Sequence, residues 1–188
     1  QLHGEAAVQR QMVQLQSHSA GSVRGLIHRL ADGQHQLKLD DGSRLQLSVG
    51  IDREMGRMTL DFSGTSPQHP GNLNAPVAVT RAVVLYVIRC LLKDDIPLND
   101  GCFAPIALIV PEGCLLNPHP PAAVVAGNVE LSQALCNLLF GAFGVLAAGQ
   151  GTMNNLSFGN DFCQYYETVA GGGGAGEGFN GSVGLQSH

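Results

Sequence analysis

The stretch 129–147 constrains the fold most strongly, because the helix that it predicts is apolar on nearly every side and contains one charged residue, Glu130. A helix with this pattern must be buried in the core of the protein. Asn128 is in position to cap its N-terminus, and Glu130 falls in the first turn, near the positive end of the helix dipole. The apolar segment 134–149 is too short for a membrane span and contains Asn137, so we expect a central core helix and no membrane contact.

The other segments show either helical or strand periodicity. Apolar spacing predicts helices over residues 2–30 and 77–92, the second with Asn74 as its cap. Alternating residues predict a meander of strands at 36–40, 44–49 and 57–63, a buried strand at 103–110, and a hairpin of strands 153–159 and 163–170. The glycine-rich segment 171–188 is expected to be irregular coil. This order predicts an α+β fold, in which antiparallel strands pack with two or three helices and one helix is largely buried.

Positive charge is confined to the first half of the chain, because no Lys or Arg follows Lys93 whereas eight Asp and Glu residues do. A nucleic-acid surface needs clustered cations, so this class of partner is excluded. Autonomous binding of a triphosphate is disfavoured for the same reason. Charged residues make up 13% of the chain, which is about half the usual share and leaves much neutral surface. We expect another domain or subunit to cover that surface in an oligomer.

The cysteines and histidines do not indicate a metal site or a redox motif. The five cysteines lack metal-ligand and redox spacing, and their odd number and apolar neighbours indicate reduced thiols in a cytoplasmic protein. The seven histidines never form a ligand pair at helical spacing. Gly171-x-Gly173-x-x-Gly176 matches the dinucleotide-binding fingerprint, but loop residues follow it where that motif needs a helix, so we reject nucleotide binding there.

Amide and hydroxyl side chains are concentrated in four short segments rich in glycine and proline. Buried amides can orient carbonyl groups and oxyanions, and glycine lets a backbone approach a ligand. Turns and helix caps use the same residues, and for Asn74 and Asn128 the structural and functional interpretations are equally supported. The candidate substrate-binding residues are Asn72, Asn74, Asn128, Gln150, Thr152, Asn154, Asn155 and Tyr166, and the candidate catalytic residue is Glu167.

Six longer sequence motifs occur in a characteristic order. They are Gly-Asn-Leu-Asn-Ala-Pro (71–76), Asp-Ile-Pro-Leu-Asn-x-Gly-Cys (95–102), Val-Pro-Glu-Gly (110–113), Ala-Ala-Val-Val-Ala-Gly-Asn-Val (122–129), Gln-Gly-Thr-Met-Asn-Asn (150–155) and Tyr-Tyr-Glu-Thr-x-x-Gly-Gly-x-Gly-Ala-Gly (165–176). Together they resemble the hydantoinase B / 5-oxoprolinase family. The resemblance runs from about Gln1 to His188 and is densest after Asp61.

The resemblance implies that residues 1–188 are part of a larger enzyme, with the loop 63–76 as a candidate sub-boundary. In that family a cyclic amide is opened with ATP: 5-oxo-L-proline, ATP and water give L-glutamate, ADP and phosphate. ATP and Mg are then expected in a separate hydantoinase A-like region or subunit, with no cofactor bound by this chain, which would be inactive alone. The alternatives are an N-methylhydantoinase, an acetone-carboxylase-type subunit, or a non-catalytic scaffold that only forms subunit contacts.

A shared cleft is the resulting hypothesis for the site. Gln150, Asn154, Asn155 and Glu167 are expected to converge with Asn72, because the predicted hairpin pairs residues at equal distances from its turn. The amides would donate hydrogen bonds to the carbonyl oxygen of the ring as it gains negative charge. Glu167 would accept a proton from the attacking water if its carboxylate is buried.

Overall fold

The computed structural model describes residues 4–93, 95–151 and 153–185, and within them the chain has an α+β fold. The helices are α1 (Glu5–Ile27), α2 (Val77–Leu91) and α3 (Glu130–Ala142), with a short 3-10 helix at Asp100–Phe103. The strands are β1 (Gly33–Lys38), β2 (Arg44–Asp52), β3 (Arg57–Asp61), β4 (Ile106–Ile109), β5 (Asn154–Gly159), β6 (Gln164–Val169), β7 (Gly171–Gly173) and β8 (Ser182–Leu185). The predicted helices, meander and hairpin are therefore present.

The main sheet has the strand order β1-β2-β3-β4. The first three strands form the predicted antiparallel meander, in which Leu37 pairs with Leu45 and Val49 pairs with Leu60. The fourth strand runs parallel to β3, with Met58 opposite Ile106, a direction that the sequence pattern of this buried strand did not indicate. The long connection that contains α2 brings the chain back to the β3 edge in the same direction, which only a crossover of this kind allows.

The core lies between one face of this sheet and the helices. Alternate residues of β2 and β3 point into it, α3 packs against β1 and β2, and α1 contacts β3, while α2 packs on α3. The buried face of α3 consists of Leu131, Leu135, Leu138 and Leu139. The residues on its other sides are mostly half-buried, so the helix is central but not enclosed on every side as its composition predicted.

The ends of α3 differ from the prediction in two ways. The helix ends at Ala142 rather than near Ala147, because Gly144 adopts a φ of 66° and turns the chain back. Its N-terminus begins after Val129 without a side-chain cap, so the capping role predicted for Asn128 is wrong. The backbone N–H groups of Val129 and Glu130 instead donate to the Ala126 carbonyl.

The cap predicted for α2 is also wrong, because this helix begins after Pro76 without a side-chain cap, and Asn74 is buried in the loop that precedes it. That loop, 63–76, is tied to the body of the protein through backbone hydrogen bonds, such as Ala75 N–H to the Leu115 carbonyl at 2.8 Å. Buried residues before and after the loop belong to one core.

The C-terminal segment is ordered into strands where the sequence predicted coil. Gly171–Gly173 pairs in antiparallel fashion with Ser182–Leu185, and the connection between the two strands contains a turn at residues 177–178. The coil prediction is therefore wrong for these two strands, while the residues between them have no regular helix or strand. Among the described residues, no helix combines the length and hydrophobicity needed to cross a bilayer.

Candidate active site

Two side chains of α3 hold the segment that follows this helix against the helix itself. This return segment comprises residues 145–153, and its member Thr152, a predicted substrate ligand, lies outside the described residues. The Asn137 Nδ2 group donates to the Gly149 carbonyl at 2.7 Å, and the Gly149 N–H donates to Asn137 Oδ1 at 3.0 Å. Gln133 forms the same reciprocal pair with the backbone of Met153, at 3.1 and 3.2 Å. The two amides thus anchor the segment on both sides of Gln150.

The opposite edge of the return segment is paired with the glycine strand β7. The Gln150 N–H donates to the Gly172 carbonyl at 3.1 Å, and the Ala147 N–H donates to the Ala175 carbonyl at 2.8 Å. A Cβ atom at Gly171 would overlap the Gly151 carbonyl oxygen, and one at Gly174 would overlap that of Ala147. Close packing of one backbone on another therefore explains the glycine run without a nucleotide.

Gln150 and Asn154 line one cleft of about 490 Å³ beside α3. Asn154 also donates to the carbonyls of Gly151 and Val169, both at 3.3 Å, so its amide is held in place. Asn72 lies near the cleft through its carbonyl, which accepts from the N–H of the lining residue Ala126 at 3.0 Å, while its side chain is exposed.

Three carboxylates line the same cleft, namely Asp40, Asp41 and Glu130. The Asp41 carboxylate accepts hydrogen bonds from the hydroxyl and N–H of Ser43, both at 2.8 Å, and lies 3.5 Å from His69 Nε2. The hydrogen bonds from Ser43, with a smaller contribution from His69, lower the pKa of Asp41. Asp41 therefore stays ionised at neutral pH, and the cleft has an acidic wall that the sequence reasoning did not predict.

The β5–β6 hairpin divides the remaining candidates between its two faces. Asn154, Leu156 and Phe158 lie opposite Val169, Glu167 and Tyr165, so these six residues share one face. Glu167 is diagonal to Asn154 on that face, which puts their Cα atoms about 7–8 Å apart. Asn155 and Tyr166 are on the other face, where the Tyr166 hydroxyl donates to Asn155 Oδ1 at 2.9 Å.

The Glu167 carboxylate is exposed. It accepts a hydrogen bond from the hydroxyl of Tyr165, which lies two residues nearer the hairpin turn. This hydrogen bond and the charge of the carboxylate raise the pKa of Tyr165. The described residues of this chain therefore do not supply the burial that a general base at Glu167 requires.

Asn74 is fully buried and its amide is used within the loop. Its Oδ1 atom accepts from the His69 N–H at 2.6 Å, and its Nδ2 atom donates to the carbonyls of His69, Gly71 and Ala123 at 2.9 to 3.1 Å. No polar atom of Asn74 remains for a ligand, so we assign it to the scaffold of the loop.

Comparison with known proteins gives the family. The sequence profile of the hydantoinase B/oxoprolinase family matches residues 1–188. This chain belongs to that family. It is 51% identical over 150 residues to 5-oxoprolinase 1 of Arabidopsis thaliana and 48% identical over 150 residues to 5-oxoprolinase of Dictyostelium discoideum. Each match covers 80% of this chain and 12% of the relative, so this hydantoinase B-type chain spans a small part of both.

The fold of this hydantoinase B-type chain also occurs in a solved structure. The ATP-dependent caprolactamase from Pseudomonas jessenii matches it with a TM-score of 0.72 at 19% sequence identity. The match covers 98% of this chain and 35% of that one. At this level of identity the likeness shows a shared fold and nothing further about chemistry.

A second cavity of the hydantoinase B-type chain, of about 600 Å³, lies between α2, α3 and the glycine strand. It is lined by apolar residues and glycines together with Tyr86, Asn128, Ser132, Gln133, Cys136 and Asn137. Burial raises the pKa of Cys136 to about 11. Among the described residues, no Lys or Arg lines this cavity or the acidic cleft. The triphosphate of ATP, which the family implies, therefore does not fit either site, since it needs cationic partners.

Sequence reasoning missed Gln133, Asn137 and the three carboxylates as site residues. A signal for the first two was present, because they are polar residues four apart on an otherwise apolar helix and so share one face. Asp41 lies between the predicted strands 36–40 and 44–49, and nothing local in the sequence links it to α3.

Proposed function

We propose that this chain is the part of an ATP-dependent cyclic-amide hydrolase that holds the ring substrate, and that the substrate is 5-oxo-L-proline. The observation that carries the proposal is the 51% identity to 5-oxoprolinase 1 of Arabidopsis thaliana, together with the family match over residues 1–188. Since the chain spans 12% of that relative, the complete reaction to L-glutamate, ADP and phosphate belongs to the intact enzyme that contains the chain.

The acidic cleft has the polar groups that opening of a lactam ring requires. The ring carbonyl oxygen gains negative charge when water attacks, and the amide of Gln150 is the donor proposed to stabilise it. The Nδ2 group of Asn154 already donates to the Gly151 and Val169 carbonyls, so Asn154 is proposed to bind the substrate by accepting from the ring N–H through Oδ1. The ring nitrogen leaves as an amine and gains a proton, and the carboxylates of Asp40, Asp41 and Glu130 favour the resulting cation. Their negative charge opposes binding of the 5-oxoproline carboxylate, so a cation outside the described residues is proposed to hold that group.

Glu167 is proposed as the general base in the intact enzyme. It lies on the same hairpin face as Asn154, and four of the six residues on that face are apolar or aromatic, as expected of a surface that another region covers. If another region covers this face, the Glu167 carboxylate and the water that gives up its proton are both separated from bulk solvent. Asn155 and Tyr166, on the opposite face, are proposed to contact the adjoining region or a more distant part of the substrate.

ATP and Mg are proposed to bind in a hydantoinase A-like region or subunit of a cytoplasmic oligomer. The supporting observation is the lack of cationic lining in both cavities of the described residues. Calorimetry of the 188-residue chain with Mg-ATP is expected to give no binding at micromolar concentrations. A micromolar dissociation constant would contradict this assignment and would place a phosphate site within the chain.

Turnover by the intact enzyme tests the proposed reaction. The enzyme is incubated with ATP and, separately, with 5-oxo-L-proline, with N-methylhydantoin, or with acetone plus bicarbonate as the source of the added carboxyl group. ADP and the organic product are measured together. We expect ADP release that depends on 5-oxo-L-proline and matches L-glutamate formation. Release of ADP only with N-methylhydantoin or only with acetone would instead support one of the two related activities.

A non-catalytic scaffold is the second candidate, and the exposure of Glu167 in this chain favours it. Gln150→Ala and Asn154→Ala in the intact enzyme separate the two. Loss of turnover in folded variants supports a substrate site, whereas full activity of both supports a scaffold.

A further inference from the structure

The two amide side chains that anchor the return segment form an unusual pair of contacts. Each of Gln133 and Asn137 both donates to and accepts from the backbone of a single residue, Met153 and Gly149 respectively. Gln133 also donates to the Val129 carbonyl of its own helix at 3.2 Å. An amide side chain completes such a pair without a charge and without a change of protonation state, since it has both a donor and an acceptor at its end.

The spacing of the two anchors forces the chain between them to bulge. The anchoring residues are four apart on α3, which corresponds to about 6 Å along a helix axis. The four residue steps from Gly149 to Met153 would span about 13 Å if extended. Gly151, which lies between the two anchored residues, adopts a φ of 70° and bends the chain. A Cβ atom at Gly151 would overlap Gln133 Oε1, so the bend and the anchor depend on each other.

We propose that Gln133 and Asn137 are positioning residues that set the Gln150 side chain in the acidic cleft by holding this bulge. The inference rests on the proposed function, in which Gln150 donates to the ring carbonyl. Neither anchor touches the substrate in this scheme, and both act through the backbone that carries Gln150. Because β7 fixes the other edge of the segment through Gly172, loss of an anchor shifts Gln150 without releasing the segment.

Asn137→Asp in the intact enzyme gives a pH-dependent test. The ionised carboxylate keeps the acceptor for the Gly149 N–H but repels the Gly149 carbonyl oxygen, whereas the protonated form can donate to that oxygen. The surroundings raise the pKa of the introduced group above the ordinary value of about 3.9 for Asp. The titratable groups that share a cavity with Asn137 are Asp40, Asp41 and Glu130 on one side, and Tyr86 and Cys136 on the other.

The expected result is a loss of kcat/KM of about tenfold or more at pH 7.5 relative to wild type. As the pH falls through the raised pKa, the ratio of variant to wild-type activity should rise, because protonation restores the pair. Asn137→Leu should lose as much activity and show no recovery at any pH. A pH-independent ratio for Asn137→Asp, or wild-type activity of Asn137→Leu, would overturn the proposal.

A double-mutant cycle with Gln150→Ala tests whether Asn137 acts through Gln150. If it does, Gln150→Ala should cost much less in an Asn137→Leu background than in the wild type, because the side chain is already displaced. Additive losses in kcat/KM would mean that Asn137 does not act through Gln150. The cycle of Gln150→Ala with Gln133→Leu repeats the test at the other anchor if Asn137→Leu fails to fold.

Hydrogen exchange separates failure of this inference from failure of the proposed function, because it needs no substrate. In Asn137→Leu, the Gly149 N–H should exchange at least about tenfold faster than in wild type, while β2 is unchanged. Gln14→Leu is the matched control, since Gln14 is an exposed residue of α1. Unchanged exchange at Gly149 overturns the anchoring role even if the enzyme hydrolyses 5-oxo-L-proline. If exchange at Gly149 is faster but the enzyme does not hydrolyse 5-oxo-L-proline, the anchoring role of Asn137 stands and the proposed function is wrong.

Discussion

At the scale of single residues, Asn74 and Gln150 show how amide side chains serve two purposes. Asn74 is fully buried and its amide satisfies three backbone groups of its own loop and the carbonyl of Ala123, whereas the Gln150 side chain faces a cleft. Both lie in short polar segments rich in glycine or proline, so local sequence does not distinguish them. The difference depends on Ala123 and α3, which are distant in the chain.

Asn74→Ala should lower the free energy of unfolding by about 2–4 kcal/mol, because it leaves several buried backbone groups without partners. Denaturant unfolding of the 188-residue chain measures this change. Asn72→Ala is the matched control, since that side chain is exposed, and it should change the stability by less than about 0.5 kcal/mol. Equal effects of the two substitutions would contradict the scaffold assignment of Asn74.

Glu167→Gln should reduce turnover of the intact enzyme at least about tenfold, because the amide cannot accept the proton that a general base removes. The fold should be unaffected, since the side chain is exposed in this chain. Steady-state kinetics and circular dichroism check both points. Glu54→Gln, which changes an exposed carboxylate in the β2–β3 turn, should retain full activity. Wild-type turnover of Glu167→Gln would remove the proposed base.

At the scale of elements, the sequence predicted helices and strands wherever apolar side chains recur at helical spacing or alternate with polar ones. The β5–β6 hairpin and the β1–β3 meander were predicted within a few residues, because apolar alternation and turn residues define them. The β7–β8 pair was missed because glycine carries no strand signal and its pairing depends on close backbone contacts. Gln150 and Asn154 were found from local composition, but the carboxylates of the cleft come from other elements.

Two glycine substitutions should have opposite effects on stability. Gly171→Ala introduces a Cβ that overlaps the Gly151 carbonyl, and it should lower the free energy of unfolding by about 1–3 kcal/mol. Gly21→Ala places a Cβ in open space within α1 and should raise the free energy of unfolding by about 0.5–1 kcal/mol. Thermal unfolding of both variants checks the signs. A stabilising Gly171→Ala would mean that β7 does not pack against the return segment.

At the scale of the whole molecule, the hairpin face that contains Glu167 is an exposed apolar surface. Phe158 and Tyr165 stack there with ring centroids 4.9 Å apart and remain 60% and 44% exposed. Leu156 and Val169 on the same face are 48% and 44% exposed. Such a patch is typical of a surface that another protein region covers, in agreement with the low charge of the sequence.

Residues 154–169 should exchange their backbone hydrogens at least about tenfold more slowly in the intact enzyme than in the 188-residue chain, because the adjoining region covers the hairpin. Exchange of β2, which is central in the main sheet, should be the same in both and serves as the internal control. Mass spectrometry of the two proteins under identical conditions measures the difference. Equal exchange in the hairpin would show that it stays uncovered.

The parallel pairing of β3 with β4 also affects how quickly the protein reaches its native state. Met58 meets Ile106 only after the intervening chain, including α2, has been arranged across the sheet. The meander before it needs only local turns and can form early, while closing a long loop has an entropic cost that the final contacts must offset. During synthesis the β3 edge therefore stays unpaired until β4 has been made and positioned. In that interval a chaperone or a neighbouring chain can bind to the exposed edge.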